Sequence, residues 1–174
     1  LSLNDRHDSL MAQLLDKQTV MPVIEAEDGL RLAANHVYVI PPDRYLTLKQ
    51  GVIHLSPLPS KRDVNAPPIA PPIDPFLRSL AEDQQEHAIC IILSGTGSHG
   101  ALGLKAVKAA GGMAMVQDPA TAEYDSMPLS AIDSGLADYI LPPERMPGEL
   151  LKYMRHFLVA VSYTHLTLPT NREV

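Results

Sequence analysis

Ala88-Ile89-Cys90-Ile91-Ile92-Leu93-Ser94-Gly95-Thr96-Gly97-Ser98-His99-Gly100 is the stretch that decides how this chain folds. An unbroken apolar run meets a loop punctuated by three glycines. A run this short, rich in isoleucine and stopped by glycine, reads as a strand over 88–94. Residues 101–110 then read as a helix that ends at Gly111-Gly112, and 113–117 as the next strand. Strand, helix, strand implies parallel pairing through a crossover. In an open sheet of that kind, ligands bind at the carboxyl ends of the strands. The Gly95–Gly100 loop is therefore the first place to look for chemistry.

The alternation extends in both directions. Downstream come a short helix near 127–134, a strand over 137–141 and a helix over 144–158. Upstream, a helix over 75–85 precedes the apolar run. Residues 56–75 hold 7 of the 16 prolines and read as a surface loop, because each proline removes a backbone donor. Before it, 45–48 and 52–55 read as a hairpin turning at Gly51, and 21–26 and 36–40 read as strands. Leu10, Met11, Leu14 and Leu15 lie at helical spacing over 8–17, capped by Asp8 or Ser9. The pattern predicts an α/β fold of three layers, a mainly parallel sheet with a peripheral β-hairpin. Residues 161–174 break the pattern. They look like translated sequencing-adapter read-through, so the domain is expected over 1–160 with a non-native tail after it.

Composition narrows the function. The chain has 174 residues, 45% hydrophobic and 20% charged, with net charge -6. Nucleic acid as a partner needs clustered Lys and Arg, and no such cluster is seen; Lys105 and Lys108, three apart on one helix face, read as plain solvation. No run approaches the roughly 18 apolar residues of a membrane span, so no membrane partner is expected. The single cysteine, Cys90, lies inside the apolar run and reads as a small buried hydrophobe in a reducing compartment. The chain opens at Leu1 without a basic start and apolar stretch, which reads as no signal peptide and an absent native N-terminus. His36, His54, His87 and His156 lack metal-ligand spacing, and neither a metal nor another cofactor is expected.

The loop itself admits three readings from its residues. Gly95-x-Gly97-x-x-Gly100 matches the dinucleotide fingerprint, with Asp118 lying 18 residues beyond Gly100 as a ribose-binding candidate. Alternatively, amides of Gly95, Thr96, Gly97, Ser98 and Gly100 could hold a substrate anion or a developing oxyanion. A plain structural turn is the third.

Resemblance separates these readings. Ile91 to Gly100 is similar to the signature of the chemotaxis methylesterase family (CheB), which runs Leu-Ser/Thr-Gly-Met/Thr-Gly-x-Asp-Gly. The likeness covers roughly residues 7–158. It takes in Glu25-Ala-Glu-Asp-Gly29, His36-Val-Tyr-Val-Ile-Pro-Pro-Asp43, Pro72-Ile-Asp74, Val116-Gln-Asp-Pro-Ala-Thr-Ala122, Met127-Pro128 and Leu141-Pro-Pro143. It implies a doubly wound α/β sheet and a cytoplasmic serine esterase. The implied reaction hydrolyses glutamate methyl esters on the cytoplasmic domain of methylated chemoreceptors. The wording of the loop most resembles copies fused to a receptor methyltransferase, so fused methyltransferase or kinase domains are expected as neighbours.

The chain departs from the family at the triad. The family's Gly-x-Ser-x-Gly-Gly turn is absent, its histidine is expected upstream of Leu1, and His7 is not expected to replace it. The third member should occupy position 99, where this chain has His99 instead of Asp; the two codons differ by one base. A histidine cannot supply a fixed negative charge to a second histidine. The sequence therefore predicts a methylesterase fragment, inactive as written. The rivals are a non-catalytic signalling module and a dinucleotide-binding domain. Asp28, Asp43 and Asp74 read as turn formers, with Asp74 also a candidate for the cleft border. Met127-Pro128 reads as packing beside the site.

Overall fold

The computed structural model describes residues 10–59, 72–97 and 100–165, with side chains through Arg155. The expectations for 1–9, most of the proline-rich loop, and 166–174 lie outside these residues. The elements are α1 (Leu10–Asp16), β1 (Val23–Glu25), β2 (Val37–Val39), β3 (Arg44–Lys49), β4 (Val52–Pro57) and α2 (Ile73–Gln84). There follow β5 (Ile89–Ile92), α3 (Ala101–Ala109), β6 (Met113–Gln117), α4 (Ser126–Asp133), β7 (Tyr139–Leu141) and α5 (Met146–His165).

β5, β6 and β7 pair side by side in that order, parallel throughout, as the strand-helix alternation requires. The central strand β6 is buried along its whole length. One face of the sheet presents Cys90, Ile92, Ala114 and Val116 to α2, α3 and α4. The other presents Met113 and Met115 to Met146 of α5. The three layers are therefore helices, sheet, helix. β1 and β2 form a second parallel pair, and β3 and β4 an antiparallel hairpin.

The hairpin docks on α2 through Leu46, Leu48 and Ile53 against Phe76 and Leu80. Polar ties add direction. Ser79 Oγ accepts the Leu48 N–H at 3.0 Å, and both Asp83 carboxylate oxygens receive the Gly51 N–H at 3.1–3.2 Å. The turn uses two positive φ values, at Gln50 as well as at the expected Gly51. That pair is what a two-residue hairpin turn of the favoured twist demands.

Two apolar faces are left exposed, and one helix is longer than expected. The second-half apolar strand is buried on one face only, since Ile91 is 39% exposed. The stripe Leu10, Met11, Leu14 and Leu15 on α1 is exposed as well. And α5 runs on to His165, past the expected end at 158. No helix of the described residues is long and apolar enough to cross a membrane.

α2 and α3 meet closely at Gly103, where an added Cβ would sit 2.5 Å from Leu77 Cβ. The obstacle lies next to the backbone, so the two helices would have to separate. Overpacking of this kind costs about 1–3 kcal/mol, more than the roughly 1 kcal/mol that alanine gains over glycine inside a helix. Gly103→Ala is expected to lower the urea midpoint without changing the slope of the transition.

Candidate active site

The 94–100 loop leaves the carboxyl end of β5, and its first residue is fixed by a buried amide. Gln117, 5% exposed at the end of β6, accepts the Ser94 N–H at 2.8 Å. Its Nε2 donates to Thr121 O and Oγ1 at 3.1 and 3.2 Å. One side chain thus joins the end of β5 to the turn that follows β6.

The loop is then laced to the segment leading into α4. Ser94 Oγ accepts the Tyr124 N–H at 3.0 Å and donates to Tyr124 O at 3.3 Å. The Gly95 N–H donates to Tyr124 O at 2.9 Å, and Gly95 O accepts the Met127 N–H at 3.2 Å. The Gly97 N–H donates to Ser126 Oγ at 3.0 Å. An added Cβ at Gly95 would lie 2.5 Å from Met127 Cε, so the end of that side chain would have to swing aside. Gly97 and Gly100 take φ of +93° and +97°, where only glycine sits without strain.

The loop's far end is set by α2. Gly100 occupies the position before α3 and has no side chain to cap it. Asp74 does so from the neighbouring helix, accepting the Gly103 N–H at 2.8 Å. A carboxylate at a helix N-terminus is also favoured by the dipole. Asp74 therefore belongs to the cleft's framework and not to a turn of its own.

The sequence-predicted residues separate accordingly. Gly95, Thr96, Gly97 and Gly100 lie at the carboxyl edge of the sheet; Ser98 and His99 lie outside the described residues. The amides of Gly95 and Gly97 are committed within the protein, which leaves Thr96, exposed between them, as the 94–97 amide open to a ligand. The Gly97 bond also counts against the dinucleotide reading, in which the backbone at the second glycine approaches the pyrophosphate. Asp118 corroborates this, since its carboxylate accepts the Ala120 N–H in the turn after β6 instead of reaching toward a ribose. Met127 packs, as its sequence context suggested. Sequence reasoning missed Ser126, Tyr124 and Gln117. Only Gln117 carried a signal, as a polar residue closing an otherwise apolar strand. Among the described residues no His, Cys, Asp and Glu group could hold a metal ion.

Cys90, although near the loop in sequence, is not placed to act as a nucleophile. Burial pushes its thiol up to about 12, and the thiolate is the reactive form. The folded protein is expected to leave Cys90 unlabelled by a thiol reagent at pH 8, with full labelling on unfolding. Gln117→Leu would take the partner from the half-buried Ser94 N–H, while exposed Thr121 turns to water. It is expected to cost about 1–3 kcal/mol, the usual penalty for an unsatisfied buried polar group, measured by chemical denaturation.

The family model described as CheB methylesterase matches residues 1–150. The chain is 34% identical over 142 residues to a protein-glutamate methylesterase/protein-glutamine glutaminase 2 of Pseudomonas aeruginosa, covering 81% of this chain and 40% of that one. It is 43% identical over 144 residues to an uncharacterized 104.1 kDa protein of Rhodobacter capsulatus, covering 83% of this chain and 14% of that one. The chain thus spans less than half the length of these curated relatives. Among solved structures, the Thermotoga maritima CheB methylesterase catalytic domain superposes with a TM-score of 0.69 at 33% identity, covering 82% of this chain and 75% of that chain. With the glycine loop at the carboxyl edge of a parallel sheet and the family's pattern matched over most of its length, the chain belongs to the CheB methylesterase family.

Proposed function

We propose that the chain is the loop-bearing part of a cytoplasmic protein-glutamate methylesterase. Its reaction is hydrolysis of glutamate methyl esters on chemoreceptor cytoplasmic domains, with release of methanol. The relatives' names add a second substrate with the same logic, a protein glutamine, whose amide would leave as ammonia. The observation that carries the reading is the Thr96 peptide, exposed in the family's signature loop while the amides on either side are tied back. A serine supplied by a segment outside these residues would attack the ester carbonyl, a histidine would take its proton, and the Thr96 N–H would meet the developing oxyanion. The third triad position is 99, where His99 replaces the carboxylate that would orient the histidine. The match to a far larger protein supports a multidomain parent; methyltransferase or kinase domains are the neighbours that the wording of the loop suggests.

The histidine at 99 also favours a second reading, a non-catalytic docking module. Methanol release from methyl-labelled receptor separates the two. The 174-residue chain is expected to show no turnover, with or without His99→Asp. A chain extended to include the serine and histidine should turn over weakly, since losing the orienting carboxylate costs on the order of 10⁴-fold in serine-protease triads. Adding His99→Asp to the extended chain should recover most of that loss. Equal rates with and without the change would remove position 99 from the triad. No turnover by any extended form would leave the docking module.

A further inference from the structure

We infer that Ser126 is a positioning residue, whose hydroxyl sets the direction of the Thr96 N–H; the inference rests on the esterase reading of the loop. Gly95 O and the Thr96 N–H belong to one planar trans peptide unit and point opposite ways. Gly95 O is held from the α4 side by two donors, Met127 N–H at 3.2 Å and Ser126 Oγ at 3.3 Å. The Thr96 N–H is therefore turned away from residues 124–127, into the open side of the loop. The same hydroxyl accepts the Gly97 N–H at 3.0 Å, which fixes the next peptide plane as well. One serine thus grips the backbone on both sides of Thr96.

The grip matters because of what it holds. Thr96 is flanked by two glycines, and Gly97 turns at φ +93°. Glycine leaves the backbone free to adopt many other arrangements. The direction of the Thr96 amide is thus not set by the loop's own residues and depends on ties from elsewhere. A serine at the start of a helix would ordinarily bond within its own turn. Ser126 instead commits both its donor and its acceptor to residues 29 and 31 positions away in the chain. An oxyanion donor works only when aimed before the reaction begins, and this hydroxyl does the aiming.

The test has two arms. In the 174-residue chain, Ser126→Ala is expected to speed amide exchange at Gly97 at least tenfold, with Ser126→Thr restoring protection. In the extended chain carrying His99→Asp, Ser126→Ala is expected to lower kcat about tenfold with KM unchanged, short of the 10²–10³ lost when an oxyanion donor is removed outright. Ser126→Thr should return kcat. If the alanine variant fails to fold, Ser126→Cys keeps the volume with a weak donor and should give intermediate values in both arms. Unchanged exchange at Gly97 would overturn the latch. Faster exchange with kcat unchanged, or a matching rise in KM, would overturn its positioning role. An extended chain without turnover at native Ser126 would overturn the esterase reading, and the positioning role with it, whatever the exchange arm reports.

Discussion

Everything in the second half of the molecule depends on how closely α3 lies against α2. The contact exists because residue 103 has no side chain and Leu77 occupies the space. At the same place Asp74 caps the first turn of α3. Packing and capping therefore act on one residue, and together they set where α3 begins. The position of Gly100 follows from that start, since its carbonyl accepts the Leu104 N–H at 2.7 Å. The far anchor of the loop is in effect a property of a helix pair and not of the loop.

The near anchor is different in kind. Gln117 and the two serines, Ser94 and Ser126, act through hydrogen bonds that cross between segments. Such bonds are directional and individually modest, about 0.5–1.5 kcal/mol net each. They add little to global stability compared with the buried Leu104, Val107 and Val116 core. What they contribute is orientation of a glycine-rich backbone. The site is thus built from a rigid apolar platform and a polar lacing laid over it.

This division explains what could be read from the sequence. The β6 strand over 113–117, the Gly51 turn and the order of helices follow from local periodicity and turn chemistry, and they stand in the structure as expected. The one-sided burial of β5 was not legible, because an apolar run does not say which of its faces is covered. The glycine fingerprint misled in the opposite way. Its letters specify where side chains are missing, but not which way the amides point, and here those of Gly95 and Gly97 point into the protein. Ser126, Tyr124 and Asp74 gained their roles from partners some thirty residues away, and no window of neighbouring residues contains that information.

The half-covered strand β5 has a further consequence for handling the chain. Among the described residues it pairs with β6 alone, leaving one row of backbone donors and acceptors unmatched beside exposed Ile91 and Leu93. Such a margin lacks the charges and prolines that usually keep sheets from joining end to end. An edge of this kind is a template for pairing with another chain, and a charge placed on it is what ordinarily blunts that tendency.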